Sequence, residues 1–277
     1  PAENVVEVTT VGPHVDVITI GGPPITIRGN VSGGARPIIV LQSNAGDGLV
    51  VNNGSALNKV ENVILIPDTT SPPTDDGVWV TAAGTECSFD NVLITSNNGS
   101  NQPFGDPTGL SLPGGTAGAV FPDECLYSNA GAIVHLTNTV LTANAGTSGA
   151  SDLLLISGSS GAGSTVNEGC VFSYASRYCA QINNSVTIQG TREDPVIFHG
   201  AGQAGGFSVG LGHFGGGTYS IENAIISGSA PGTGSQGMYI YDSTSLPSGD
   251  NNVQANIEHV AFVNNAGAGL MIWTGTT

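Results

Sequence analysis

PPITIRG at 23–29, followed by ARPIIV at 35–40, is written a second time as NSVTIQG at 184–190, followed by DPVIF at 194–198. Gly29 matches Gly190 at an offset of 161, and Pro37 matches Pro195 at 158. The match continues outward from these anchors. VENVILI (60–66) aligns with IENAIIS (221–227), pairing Asn62 with Asn223, and DGVWV (76–80) aligns with QGMYI (236–240). Gly109-Leu110 aligns with Gly269-Leu270. Near-constant offsets over about ninety residues imply a tandem duplication of about 160 residues, the signature of a repeat architecture. The expected organisation is one continuous solenoid over 1–277, with a first copy over 1–185 and a second copy over 186–277 that stops in mid-repeat.

A shorter unit recurs inside each copy. An apolar residue, two polar ones and an apolar run appear as VENVILI (60–66), FDNVLIT (89–95), LTNTVLT (136–142), VNEGCVF (166–172), IENAIIS (221–227) and IEHVAFV (257–263). A second strand type, usually opened by Gly, lies between them: GLVVNNG (48–54), GVWVTAAG (77–84), DLLLISG (152–158), GMYIYDS (237–243) and GLMIWTG (269–275). Short apolar runs bounded by Gly, Asn, Ser and Asp are strands and turns. No helical segment is available for a crossover, so an ordinary parallel α/β sheet is excluded. An antiparallel sandwich is also built of short strands, but the duplication and the recurring unit favour a parallel β-helix. In that coil each strand pairs with its equivalent one rung up, and no rung buries its hydrophobic face alone. Rungs of roughly 20–30 residues make 10–12 coils, a rod about 50 Å long. Val63, Leu65, Val92, Ile94, Ala224 and Ile226 hold matching alternate places and are expected to point inward. Asn62, Asn91, Asn138 and Asn223 suit corners with left-handed backbone and a partial Asn ladder, interrupted by Glu168 and His259.

The chain carries 5 basic and 21 acidic residues, a formal net charge of −16, and 42 glycines. Such a surface repels a phosphate backbone and an anionic membrane, which excludes nucleic-acid binding and disfavours membrane contact. No apolar run is long enough to span a bilayer. The charge suits a salty exterior or divalent cations. Cys87, Cys125, Cys170 and Cys179 lack the paired CxxC spacing of a zinc site. They read as buried small hydrophobes or as disulfide partners of an exported protein, with Cys170–Cys179 the first pair to test.

VTIQGTREDPVIF (186–198) is similar to a segment common in exported bacterial β-helix proteins, and VAFVNNAGAGLMI (260–272) resembles the repeat of bacterial surface β-helices. The chain thus resembles right-handed parallel β-helix proteins of the pectate-lyase-like superfamily, closest in pattern to surface and adhesin-type repeats. The resemblance implies the fold over most of the chain and names no single activity. Lyases of this fold usually use a basic residue beside bound Ca²⁺ or Arg. Here Arg28 and Gln189 hold equivalent places, as do Arg36 and Asp194, which reads as exposed strand and turn positions. Hydrolases of the fold need two or three carboxylates at suitable separations. Asp75, Asp76 and His213 superficially resemble that set, but the companion elements are absent, and the bland reading is a solvated acidic turn.

The adjacent acidic pairs Asp75-Asp76, Asp123-Glu124 and Glu193-Asp194 are calcium candidates, although the regular calcium-binding nonapeptide is missing. No other cofactor is indicated. His14, His135, His199 and His259 lack HxH or HExxH spacing, so a transition-metal site is not expected. Trp79, Tyr239, Tyr241 and Trp273 form a stripe suited either to sugar stacking or to core packing. The function read from the sequence is a secreted or cell-surface structural or adhesive solenoid without a catalytic site. Its expected partners are its own terminal rungs, further repeats of a longer chain, or a polysaccharide. The alternative is a carbohydrate-active β-helix, either a glycoside hydrolase or a tailspike-like glycan-binding protein.

Overall fold

A computed structural model describes residues 4–10, 14–31, 35–95, 121–142, 152–173, 177–200, 209–212, 217–229, 236–242 and 253–274. These residues form strands and turns, and every strand pairing between them is parallel. Three sheets run the length of the coil. The first comprises β1 (Asn4–Val8), β4 (Ile25–Gly29), β7 (Asn58–Glu61), β10 (Glu86–Asp90), β13 (Ile133–Thr137), β16 (Ser164–Asn167) and β19 (Val186–Gln189). The second comprises β2 (His14–Asp16), β5 (Ile38–Leu41), β8 (Ile64–Pro67), β11 (Leu93–Thr95), β14 (Val140–Thr142), β17 (Val171–Ser173) and β20 (Val196–His199). Two long strands, β22 (Gly217–Ser227) and β24 (Val253–Val263), bend through the corner and finish both sheets.

The third sheet holds nine strands: β3 (Ile18–Ile20), β6 (Leu49–Val51), β9 (Val78–Val80), β12 (Glu124–Ser128), β15 (Asp152–Ile156), β18 (Tyr178–Ile182), β21 (Val209–Leu211), β23 (Met238–Asp242) and β25 (Leu270–Thr274). Among the described residues nine strands per column make nine rungs, a rise of about 38 Å from first to last. This corrects the expected 10–12 coils. Rung length is not uniform: Val166 stacks on Ile188, 22 residues on, whereas Phe89 stacks on Leu136, 47 residues on.

Each sheet sends alternate side chains inward, stacked in columns from rung to rung. In the first sheet the column runs Val6, Ile27, Val60, Phe89, Leu136, Val166, Ile188, Ile221 and Ile257. In the second it includes Leu65, Ile94, Leu141, Phe172, Phe198 and Ile226, and the Phe172 and Phe198 rings stack at 4.8 Å with 9° between planes. The six expected inward residues, Val63, Leu65, Val92, Ile94, Ala224 and Ile226, are all buried in this interior. Fully burying each large aliphatic or Phe side chain is worth about 1.5–3 kcal/mol, which an isolated rung could not collect.

The motif that opened the reading has a steric cause. A Cβ on Gly29 would lie 2.0 Å from the Asn62 carbonyl oxygen and 2.8 Å from the Pro37 ring. On Gly190 it would meet the Asn223 carbonyl oxygen at 2.4 Å and Pro195 at 2.9 Å. The same close approach of a strand end to the next rung therefore recurs five rungs apart. Rung repetition alone gives that equivalence, whatever the history of the two halves. The pair Gly109-Leu110 lies outside the described residues.

The corner between the first and second sheets is the Asn position. Asn62, Asn91, Asn138 and Asn223 all have positive φ, between 49° and 57°, which Asn tolerates better than other side-chain-bearing residues. Asn91 Nδ2 donates to Asn62 Oδ1 at 2.8 Å, a partial ladder. In the β16–β17 corner Gly169, not Glu168, takes the left-handed backbone, and in β24 it falls to His259.

No disulfide joins the four cysteines, which corrects that expectation: all are buried thiols in the apolar interior. Glu124 pairs with Asp152 and Asp152 with Tyr178, so the register places Leu153 between Cys125 and Cys179. Two rungs separate those sulfurs by about 9.6 Å, beyond disulfide reach. Burial pushes the Cys170 thiol up to about 12 and the Cys87 thiol higher still, leaving both unreactive.

Candidate functional site: an acidic column beside an aromatic face

The turns that lead into the third sheet place an acid directly before the strand in four successive rungs. Asp47 precedes Gly48-Leu49, Asp76 precedes Gly77-Val78, Glu124 opens β12 and Asp152 opens β15. Strand register stacks them, so that four carboxylates rise in one column at steps of about 4.8 Å. All four are buried, and Asp152 is fully enclosed. A Cβ on Gly77 would lie 2.7 Å from the Phe121 ring, so glycine is what lets this turn close down on the rung above.

The column is wired by main chain and by shared protons. The Asp76 N–H donates to Asp47 Oδ1 at 3.3 Å, and the Glu124 N–H donates to Asp76 Oδ1 at 3.2 Å. The Asp76 and Glu124 carboxyls are hydrogen-bonded to each other, which requires a proton between them. Burial first raises Asp76 to about 7, with the Glu124 hydrogen bond opposing and Asp75 and Asp47 adding to it, and burial with the Asp76 hydrogen bond and charge raises Glu124 to about 10. Asp47 is also raised, mainly by burial. The column ends in a cation: Arg177 Nε and Nη2 donate to Asp152 Oδ1 and Oδ2 at 3.0 and 2.6 Å. Arg177 Nη2 also reaches Gln181 Oε1 at 3.0 Å, and the guanidinium lies 5.1 Å from the centre of the Tyr178 ring.

Two of the three expected acidic pairs converge here. Asp75, Asp76 and Asp123 each bring one carboxylate oxygen within 4.8 Å of the others, with Asp75 and Asp123 exposed. Three oxygen ligands at an open turn fit a hard divalent cation such as Ca²⁺, which takes carboxylates and waters. Glu193 and Asp194 do not join them. They are exposed in a tight turn in which the Asp194 N–H donates to Thr191 Oγ1 at 2.9 Å. His213 lies outside the described residues. The sequence reading missed Asp47, Asp152 and Arg177, although Asp-Gly before GLVV and before GVWV was a visible sign of the first.

Outward positions of the third sheet make a face next to this column. Val50, Trp79, Tyr127, Leu155, Gln181, Gly210, Tyr239 and Met271 are register partners along one line, while their neighbours Val78, Val80, Leu126, Met238 and Ile240 fill the core. Trp79 Nε1 donates to Asn129 Oδ1 at 3.1 Å, fixing the indole on the surface. The Tyr239 ring lies 5.8 Å from Tyr241, which lies 6.3 Å from Trp273, an exposed side chain. Trp79, Tyr241 and Trp273 are open on the outer face, whereas Tyr239, on the same face, is buried by its neighbours. Between the two aromatic groups, Tyr127, Leu155, Ser159, Arg177, Gln181 and Asn183 line a groove of about 380 Å³.

Of the two arginines expected at exposed positions, Arg28 lies on the strand surface and Arg36 does not. Arg28 is ion-paired with Glu61 at 2.8 Å. Arg36 is buried, not exposed, and its Nη1 donates to the Asn91 carbonyl oxygen at 3.0 Å, bracing a corner.

No family model matches the chain, and no curated protein matches it in sequence. Among solved structures it is similar to the crystal structure of pectate lyase Pel9A, with a TM-score of 0.51 and 12% identity, covering 99% of this chain and 67% of that one. The fold is a parallel β-helix. At that identity the likeness carries the architecture and no residue role. Among the described residues no helix is long and apolar enough to cross a membrane.

Proposed function

We propose that this protein is a secreted or cell-surface β-helix that binds a neutral polysaccharide along the outer face of its third sheet and does not cleave it. The observation that carries this reading is the set of outward aromatics, Trp79, Tyr127, Tyr241 and Trp273, interleaved with the polar groove at Gln181 and Asn183. Aromatic rings spaced along a rigid strand ladder offer successive flat platforms to sugar rings, whose C–H faces are apolar, while amide and hydroxyl groups meet their edges. A chain of net charge −16 with acids beside that face repels a polyanion. The pectate lyase likeness supports a polysaccharide ligand for this architecture. In this proposal Ca²⁺ at Asp75, Asp76 and Asp123 neutralises the turn, and the end rungs associate to extend the rod.

A second reading, a glycoside hydrolase, is favoured by one observation. Asp76 and Glu124 hold protons near neutral pH beside exposed Asp75 and Asp123, as an acid–base pair requires. Against it, Asp76 and Glu124 are themselves buried and hydrogen-bonded to each other, which leaves no room for a sugar between them. Affinity electrophoresis through neutral and acidic polysaccharides, with reducing-end and unsaturated-uronate assays on the same samples, separates the readings. Retardation by a neutral polymer, weakened at least fivefold in Trp79→Ala and Tyr127→Ala with no product formed, is expected. Product release that disappears in Asp75→Asn or Asp123→Asn would put the hydrolase first.

A further inference from the structure

The first-to-second-sheet corner holds Asn in four rungs and Gly169 in another, and only once among the described residues a titratable side chain. The last described rung places His259 at this left-handed position, with φ 53°. The register brings Glu222 directly opposite Glu258 in the preceding strand position, and His259 Nδ1 lies 3.9 Å from Glu222 Oε1. One ligand atom from each of Glu222, Glu258 and His259 falls within 4.8 Å of the other two.

This set differs from the acidic turn in both chemistry and place. It combines an imidazole with two carboxylates on the corner between the first and second sheets, away from the aromatic face. Two carboxylates facing each other on adjacent strands repel. Earlier in the same column Glu61 and Asp90 also face each other, and there Arg28 supplies the countercharge at 2.8 Å. No arginine pairs with Glu222 or Glu258 among the described residues; the neighbour on the other side is neutral Gln189. The glutamates are oriented by amides: Asn256 Nδ2 donates to Glu258 Oε1 at 2.9 Å, and Asn223 Nδ2 to Glu222 Oε1 at 3.4 Å. A groove of about 690 Å³, lined by Arg192, Pro195, Glu222, Asn223 and His259, gives an ion and its waters free access.

We propose that Glu222, Glu258 and His259 form a site for a divalent first-row transition ion, Zn²⁺ in the first instance. One nitrogen and two oxygen ligands leave a fourth tetrahedral position for water. Ligand atoms about 2.0–2.2 Å from a shared ion stand about 3.3–3.6 Å apart in a tetrahedron, so atoms now within 4.8 Å of one another, the Glu222–His259 pair at 3.9 Å, close on an ion by rotamer adjustment. The imidazole sets the selectivity: it favours Zn²⁺, Co²⁺ or Cu²⁺ over Ca²⁺, whose preference is for oxygen.

His259→Asn is the discriminating variant, because Asn is what Asn62, Asn91, Asn138 and Asn223 already supply at this corner. The intact 277-residue chain is titrated with Co²⁺ alone, reading visible absorption, and with Zn²⁺ alone by calorimetry. The expected result is a tetrahedral-type Co²⁺ spectrum, displaced by Zn²⁺ and not by equimolar Ca²⁺. Affinity should fall at least tenfold in His259→Asn and in the Glu222→Gln/Glu258→Gln double variant, with unchanged thermal unfolding of the metal-free proteins. Wild type binding Co²⁺ and Zn²⁺ no better than His259→Asn would overturn the proposal. So would loss in His259→Asn without loss in the double glutamine variant, which would mark a lone imidazole contact.

Discussion

At the scale of single residues, the acidic column makes stability a function of proton count. Asp76 and Glu124 hold their protons far above the usual carboxylate range because burial penalises the charged forms. An acid whose folded pKa exceeds its unfolded value binds more protons when folded. Its contribution is therefore present below the unfolded pKa of about 4 and is lost as pH rises through the folded value. For this pair the loss spans the window from about 4 up to about 7 for Asp76 and about 10 for Glu124. Without divalent cations, thermal unfolding should occur several degrees higher at pH 5 than at pH 8. Glu124→Gln keeps a donor for Asp76 and should flatten that slope, recovering on the order of 2–4 kcal/mol at pH 8. A cation acts in the opposite direction, since it binds the deprotonated turn. Ca²⁺ should raise the melting temperature at pH 8 and not at pH 5, and Asp75→Asn with Asp123→Asn should abolish the rise. Asp152 is the dependent member of the column. Arg177→Met strands its fully buried carboxylate and should cost about 3 kcal/mol, measured by urea unfolding.

At the scale of elements, the glycines divide by what a methyl group would strike. Gly29→Ala and Gly190→Ala drive a Cβ into the carbonyl oxygen of the next rung and should each cost about 2–4 kcal/mol in urea unfolding. Gly22→Ala meets nothing within 4 Å and should stay within about 0.5 kcal/mol of the wild type. The same contrast explains what the sequence disclosed. Gly29 with Pro37, and Asn62 with its successors, recur because each rung imposes the same local backbone demand, so they read directly from the chain. Contacts between rungs do not read so directly. Asp75-Asp76 and Asp123-Glu124 are visible as separate acidic pairs, but the 47-residue rung from Phe89 to Leu136 hides that they are neighbours. His259, Glu222 and Glu258 follow no sequence spacing typical of a metal site, since the 36 residues from Glu222 to Glu258 form a single turn of the coil. Cysteine was ambiguous for a related reason. A small buried side chain and a disulfide partner look alike until register shows Leu153 between Cys125 and Cys179.

At the scale of the whole molecule, the coil repeats one operation, and the first and last described rungs both expose apolar side chains. Among the described residues, strands β1, β2 and β3 pair on one side only, and so do β24 and β25. Beside the first rung, a cleft of about 460 Å³ is lined by Val6, Val8, Ile18, Ile20, Ile25, Ile27 and Ile39, the start of the interior columns. Val5, Val6, Val15 and Val17 are exposed there, and Val263, Leu270, Ile272 and Trp273 are exposed at the other end. Each end therefore offers unpaired main-chain groups and apolar side chains in the arrangement that every internal rung uses to receive its neighbour. The proposed association of end rungs would place the first rung of a second copy on the last described rung, joined head to tail. Such a contact does not close on itself and generates a filament. Light scattering across a hundredfold concentration range should show growing linear species. Ile272→Lys combined with Val15→Lys, which puts like charges on both ends, should return the chain to a 27.7 kDa monomer without lowering its melting temperature. A wild-type chain that stays monomeric over that range, with small-angle scattering of a rod about 38 Å long, would mean that the side chains of the end rungs already suffice to block edge pairing.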